Sequence, residues 1–299
     1  MSRNHWQWSL DQISAPQAWR ITTGDPSVIV AVLDTGVDPR HPDLQGKVLR
    51  GANLCEPHHL PIDDNGHGTA VAGIIGAQGG NRDRFRGIAP DCRILPIKVN
   101  RPRSGNVRAP QIAEGIRRAL DLGADVLNLS VGCDVGEPEF THESMAQMAN
   151  AIYEALRRGV PVVCAAGPKE RRTYPASWEV LPEFDGLIVV GATDRRDRPY
   201  PWSPRWEYVT IHAPAGATTS FPLATRHPHA RFGGTSAASP HVAGVLALMR
   251  TLRPELKPKD LKRILKQTAD PILGGRGLRV NAFQALHELG GRRALRLRG

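Results

Sequence analysis

The sequence predicts an α/β fold built on a doubly wound, mostly parallel sheet with helices on both faces. Three observations carry that expectation. Short apolar runs alternate with longer stretches of helical spacing. The runs are apolar at every position rather than at every second one, as in strands buried on both faces. The chain has 299 residues, 40% of them hydrophobic, with its charge spread out, which is enough to bury a substantial core and argues against disorder.

Val28 to Leu33 (VIVAVL) is the first such run, and it stops at Asp34-Thr35-Gly36. Ile94 to Val99, Val126 to Leu129, Val160 to Ala165 and Leu187 to Val190 have the same character. Between them, Gln111 to Leu122 places Ile112, Ile116, Ala119 and Leu120 at helical spacing, and Glu143 to Leu156 follows the same rule. Right-handed crossovers between parallel strands are expected, and ligands in such sheets sit beyond the carboxyl ends of the strands. The C-terminal part is more helical. Ser236 to Arg250 is an apolar helix, Lys259 to Thr268 is amphipathic, and Val280 to Leu289 forms a further short helix. Pro254 and Pro258 are expected to separate the first two. With no internal repeat, low-complexity linker or charge block, the expectation is a single domain over residues 1–291 and a basic tail over 292–299.

Composition excludes several classes. Four Cys (Cys55, Cys92, Cys133, Cys164) without paired spacing exclude a disulfide scaffold. No apolar run approaches the roughly 18 residues of a membrane span. The net charge of +10 comes from 32 Arg and seven Lys scattered over many segments. Its nearest clusters are Arg82, Arg84, Arg86 and the tail Arg292, Arg293, Arg296, Arg298. That is a solvated surface rather than a stripe with a nucleic-acid motif, so nucleic acid is not an expected partner. Met1 to Leu10 (MSRNHWQWSL) has no apolar signal-peptide region, which together with the unpaired Cys favours the cytoplasm; secretion is the expectation if the chain is a processed or truncated form.

Three motifs carry chemistry. Asp34 closes a buried strand within Ala31-Val32-Leu33-Asp34-Thr35-Gly36-Val37-Asp38. His67 opens a helix of small residues within Asn65-Gly66-His67-Gly68-Thr69-Ala70-Val71-Ala72-Gly73. Ser236 follows a glycine turn within Gly233-Gly234-Thr235-Ser236-Ala237-Ala238-Ser239-Pro240-His241. Each alone is weak: Asp-Thr-Gly occurs in aspartic proteases as one of two copies, and a Ser at a helix start is usually an N-cap. In the order Asp, His, Ser the three motifs resemble the subtilisin-like serine proteases, or subtilases. The resemblance runs from about Trp8 to Leu289. It includes Ala15-Pro16-Gln17-Ala18-Trp19, His41-Pro42-Asp43-Leu44 and Gly277-Leu278-Arg279-Val280-Asn281-Ala282.

The resemblance implies a subtilisin-like sheet and a serine endopeptidase acting on polypeptides through an acyl-enzyme. Its catalytic residues are Asp34, His67 and Ser236. A Ser hydroxyl needs a base within reach; His67 supplies one that titrates near neutrality, and Asp34 fixes its tautomer and stabilises the imidazolium. Substrate would add as a strand between Arg103-Ser104-Gly105-Asn106 and Ser130-Val131-Gly132. Gly132 and Ala165-Ala166-Gly167 would wall the specificity pocket. Acidic Asp134, Glu137 and Glu139 suggest a taste for basic substrate residues, against the simpler reading of a solvated loop. The family's calcium ion implies Asp43 and Asn81 as ligands, although Arg82, Arg84 and Arg86 oppose a cation there. An inhibitory prodomain, separate or removed, is a further implied partner.

One position departs from the family. Pro168 stands where an Asn should donate to the oxyanion, and proline has neither a side-chain donor nor an N–H. Three readings follow. The Ser236 backbone N–H and the Thr235 hydroxyl suffice, giving a slow protease. Lys169, Arg171 or Arg172 supplies a charged substitute. Or the chain is a pseudoprotease that binds peptides as a regulatory module.

Overall fold

The computed structural model describes residues 8–79, 85–100, 107–132, 141–167, 184–204, 209–221, 229–274 and 277–291. In chain order the elements are α1 (Trp8–Gln12), α2 (Ala15–Ala18), β1 (Ile29–Asp34), β2 (Ala52–Asn53), α3 (His67–Gly76), β3 (Arg93–Lys98), α4 (Ala109–Asp121), β4 (Val126–Leu129), α5 (His142–Arg157) and β5 (Val162–Ala165). There follow β6 (Leu187–Thr193), β7 (Ile211–Pro214), β8 (Ala217–Ser220), β9 (His229–Phe232), α6 (Thr235–Leu252), α7 (Pro258–Gln267), β10 (Asp270–Pro271), β11 (Leu278–Arg279) and α8 (Ala282–Leu286).

The main sheet has nine strands in the order β10-β11-β7-β6-β5-β4-β1-β3-β2, and only the β10–β11 pair is antiparallel. The α/β expectation is met, and the continuous apolar runs are its central strands. Their two-sided burial is literal. In β1, Val30 and Val32 face one core while Ala31 and Leu33 face the other. In β6, Ile188 and Val190 divide from Leu187 and Val189 in the same way.

Helices α4 and α5 cover one face through Ile112, Ile116, Met148 and Ile152. Helices α3, α6, α7 and α8 cover the other. Helix α6 is apolar nearly all round, as befits a helix enclosed by protein, and it packs against β1, β4, β5, β6 and β7. Pro258 is the first residue of α7, where its missing N–H is harmless, rather than a spacer before it. The last predicted helix starts two residues later than its apolar pattern, because Asn281 caps α8 by accepting from the Gln284 N–H, and it runs on as a π-helical turn over His287–Gly291.

The order of strands fixes where a site can form. After β1 the chain builds β2 and β3 on one side, then passes over β1 to place β4 to β7 on the other. The crevice at the carboxyl ends of β1 and β4 is therefore the switch point of the sheet, the position at which open α/β sheets hold ligands. Asp34 ends β1, and Ser130 lies one residue beyond β4. Among the described residues, no helix is long and apolar enough to cross a membrane.

Candidate active site

Asp34 is fully buried at the end of β1. Its Oδ1 accepts the Thr35 N–H at 2.7 Å, and His67 Nδ1 lies 2.8 and 3.0 Å from its two oxygens. His67 is the first residue of α3, and α3 comes so close to the Asp34 loop that side chains must be absent where they meet. A Cβ on Gly68 would lie 2.0 Å from the Gly36 carbonyl oxygen and 3.2 Å from the Asp34 Cβ. Gly68→Ala is expected to cost about 3 kcal/mol of stability, read as a lowered thermal midpoint on an inactive background.

The two loops are joined by Asp63, which the sequence reading passed over. Its Oδ1 accepts from Thr35 Oγ1 at 2.8 Å and from the N–H groups of Asn65 and Gly66. Its Oδ2 accepts from the N–H and hydroxyl of Thr69, at 2.9 and 2.6 Å. Thr35 Oγ1 in turn accepts the Gly68 N–H at 2.9 Å. From below, the Lys98 ammonium, 2% exposed, donates to the Thr35 carbonyl at 2.6 Å, the Ile62 carbonyl at 3.3 Å and Asp64 Oδ1 at 2.8 Å. A buried cation with three acceptors is satisfied, and it fixes the backbone beside Asp34. Burial opposes a charge on His67, but the Asp34 charge and hydrogen bond, with the Asp63 charge, outweigh it and raise its pKa above the ordinary 6.5. Phe232 packs edge-on to the imidazole, with ring centroids 4.9 Å apart.

Ser236 sits in the first turn of α6. The chain turns into the helix at Gly234, whose φ of 77° and ψ of −176° form a combination open essentially to glycine. Pro240 lies inside the helix, so the Ser236 carbonyl has no i+4 N–H to accept. Ser130 Oγ fills that vacancy, donating to the Ser236 carbonyl at 3.1 Å. Ser130 is itself held by Asn128 Nδ2 at 2.9 Å, and Asn128 Oδ1 accepts from Ser239 Oγ at 2.8 Å. Ser236 Oγ donates to the Ser130 carbonyl at 3.1 Å, not to His67. Ala237, the next residue, packs with Ile74 of α3 and with Phe232, which brings the two helices bearing His67 and Ser236 together.

The other expected residues divide. Ser130 and Val131 are buried at the end of β4, and Gly132 is exposed. The Ser130 hydroxyl and carbonyl are both engaged with Ser236, which positions that residue. Ala166 is fully buried in the core behind β5, whereas Gly167 keeps part of its surface open. Thr235 Oγ1 accepts the Gly167 N–H at 3.0 Å and lies 3.4 Å from the Gly167 carbonyl, which ties the end of β5 to the start of α6. Pro168, Lys169, Arg171, Arg172, Ser104, Gly105, Asp134, Glu137, Glu139 and Asn81 lie outside the described residues.

Asp43 is buried, but its neighbours among the described residues do not suit calcium. Its Oδ2 accepts from Ser220 Oγ at 2.7 Å and lies 2.8 Å from His229 Nε2 and 3.8 Å from His41 Nδ1. Calcium prefers oxygen donors, and two of these three neighbours carry imidazoles. Arg86, expected to oppose a cation there, lays its guanidinium over the Trp19 ring at 4.2 Å. Cys92 and Cys164 are buried thiols, with Cys92 pushed up to about 11 chiefly by burial.

The family model for subtilases (peptidase S8) matches residues 25–292. A thermophilic serine proteinase from Bacillus sp. (strain AK1) is 37% identical over 276 residues, spanning 90% of this chain and 64% of that protein. Thermitase from Thermoactinomyces vulgaris is 35% identical over 288 residues, 94% of this chain and 95% of its own. Among solved structures, fervidolysin from Fervidobacterium pennivorans, described as a keratinolytic enzyme related to subtilisin, matches with a TM-score of 0.80 at 28% identity, over 94% of this chain and 45% of that one. The chain therefore spans slightly less than two thirds of the first relative and nearly all of the second. With a subtilisin-like sheet, an Asp and a His joined at its switch point, and a family match over most of its length, this chain belongs to the subtilase family.

Proposed function

We propose that the chain is a serine endopeptidase that hydrolyses peptide bonds through an acyl-enzyme on Ser236. The observation that carries this reading is the hydrogen bond between His67 and the buried Asp34, set beside the N-terminus of the helix bearing Ser236. With Nδ1–H donated to Asp34, Nε2 of His67 is the basic nitrogen. Ser236 Oγ leaves the Ser130 carbonyl, gives its proton to Nε2 and attacks the scissile carbonyl. The imidazolium is stabilised by Asp34 and returns the proton to the leaving amine. Water, deprotonated by the same nitrogen, then cleaves the ester.

The Ser236 N–H has no intrahelical acceptor in the first turn, and with the positive end of α6 it faces the developing oxyanion. Thr235 contributes by anchoring Gly167, because its hydroxyl is already engaged there. Polypeptide substrate lies extended along Ser130-Val131-Gly132.

The missing Asn at position 168 predicts slow chemistry. Pro168→Asn is expected to raise kcat about 10²-fold with KM little changed, the scale of one oxyanion donor. A kcat unchanged by the substitution would show that Lys169, Arg171 or Arg172 already fills the role.

The rival reading, a peptide-binding pseudoprotease, draws support from the Ser236 hydroxyl being turned to Ser130. A fluorophosphonate probe decides between them. The peptidase reading expects covalent labelling of wild type and none of Ser236→Ala; unlabelled wild type that still binds peptide sustains the rival.

A further inference from the structure

We propose that His41, Asp43 and His229 form a binding site for a divalent transition metal of the zinc class, one that clamps the β8–β9 ribbon to the loop after β1. The three residues come from two segments far apart in sequence, yet their donor atoms all lie within 4.8 Å of one another. His41 and Asp43 are buried, and His229 is only partly exposed.

The chemistry of the cluster is that of a metal site. Two imidazoles and one carboxylate are a common zinc donor set, with bonds of about 2.0–2.2 Å. The pattern suits transition metals and disfavours calcium and magnesium, which take oxygen. His41 Nδ1 accepts the Asp43 N–H at 3.2 Å, a bond that a metal at this nitrogen would replace. His229 Nε2 lies on the same carboxylate oxygen at 2.8 Å. A second, independent observation points to a ligand. Asp43 Oδ1 is buried without a hydrogen-bond partner, although its residue is 1% exposed. An orphaned carboxylate oxygen in the interior is costly, and a cation held by both oxygens of Asp43 would satisfy it. Ser220 Oγ, 2.7 Å from the other oxygen, offers a fourth donor or a water anchor.

The placement gives the ion a task. His229 begins β9, and the same strand ends at Phe232, against the His67 ring. Ser220 ends β8, where the neighbouring Thr219 hydroxyl donates to the Ala70 carbonyl of α3 at 2.8 Å. A metal joining Asp43 to His229 would therefore fix the ribbon that packs between the helices of His67 and Ser236.

The test uses the full chain carrying His67→Ala, which prevents autolysis and removes the active-site imidazole as a competing ligand. Its outcome is thus independent of whether the chain is a peptidase. After chelator treatment, zinc, cobalt(II) and calcium are titrated separately by calorimetry, with thermal melting alongside. The expected result is one equivalent of zinc bound and a midpoint raised by about 5 °C at a hundredfold excess over Kd. Cobalt should give the visible absorption of a low-coordinate site. His229→Ala should lose at least about tenfold in zinc affinity, and Asp43→Asn more; through its lost bond to Asp43, His229→Ala should also lower the metal-free melting point by about 2–4 °C while the melt stays cooperative. Zinc binding unaffected by His229→Ala, absence of zinc binding, or a preference for calcium would each overturn the proposal.

Discussion

Ser236→Ala is expected to lower kcat for peptide hydrolysis by about 10⁶-fold, and His67→Ala to lower it as much, with the double variant hardly worse than either. The two side chains perform one proton transfer: without the base the hydroxyl is a poor nucleophile, and without the hydroxyl the base has nothing to activate. Non-additivity is the signature that separates a working pair from two residues that merely line a cleft. The substitution at 236 should leave the fold intact. It removes one hydrogen bond to the Ser130 carbonyl, a loss of about 1 kcal/mol, while the Gly234 turn and the Ser130 bond to the Ser236 carbonyl involve only backbone at that residue. Circular dichroism should match wild type and melting should fall by no more than about 2–4 °C while the rate collapses. Additive losses from the two substitutions would sink the assignment.

What could be read from the sequence follows from how each feature is encoded. The strands β1, β3, β4, β5 and β6 are buried on both sides, so their apolarity is continuous and local. Strand β7, with His212 at its centre, and the β8–β9 ribbon, rich in Thr, Ser, His and Arg, lack that signal. They are strands because of what they pair with. Asp34, His67 and Ser236 were legible because glycines flank them in short motifs. Those glycines mark close approaches and turns, as at Gly68 and Gly234. Lys98 was not legible, and Asp63 was only faintly so. Lys98 hides inside an apolar run and reads as an interruption until the fold brings three acceptors around its ammonium. Asp63 just ahead of Asn65-Gly66 did carry a cue, since Asp in a turn before a helix accepts from following N–H groups. Pro240 is the opposite case. The apolar pattern from Ser236 to Arg250 runs straight through it, and the helix tolerates it because Ser130, just past a strand more than a hundred residues earlier, takes over the carbonyl that the proline frees. His229 has no motif at all; only the folded ribbon brings it to Asp43.

Asp34→Asn is expected to reduce kcat at neutral pH by about 10⁴-fold and to move the acid limb of kcat/KM downward. In the wild type, burial favours neutral His67, but the charge and hydrogen bond of Asp34 and the charge of Asp63 overcome it, so the imidazole holds its proton above pH 6.5. The base is the neutral form. Activity should therefore rise with pH along a limb lying above 6.5. With Asn at position 34 burial loses its main opponent, and only Asp63 remains to raise the pKa, so the limb falls. The amide keeps an oxygen for the Thr35 N–H and can turn its NH₂ toward Nδ1. That selects the tautomer with the proton on Nε2, which cannot accept from Ser236. Stability has the opposite pH dependence. A histidine whose folded pKa is raised contributes its full stabilisation below the unfolded value, and loses it as pH climbs through the folded one. His67 thus becomes a competent base only by surrendering the proton that gave the ion pair its stabilising charge. Profiles of kcat/KM for the two proteins, with melting points over the same pH range, check both signs. An acid limb that stays in place after the substitution would separate Asp34 from the chemistry.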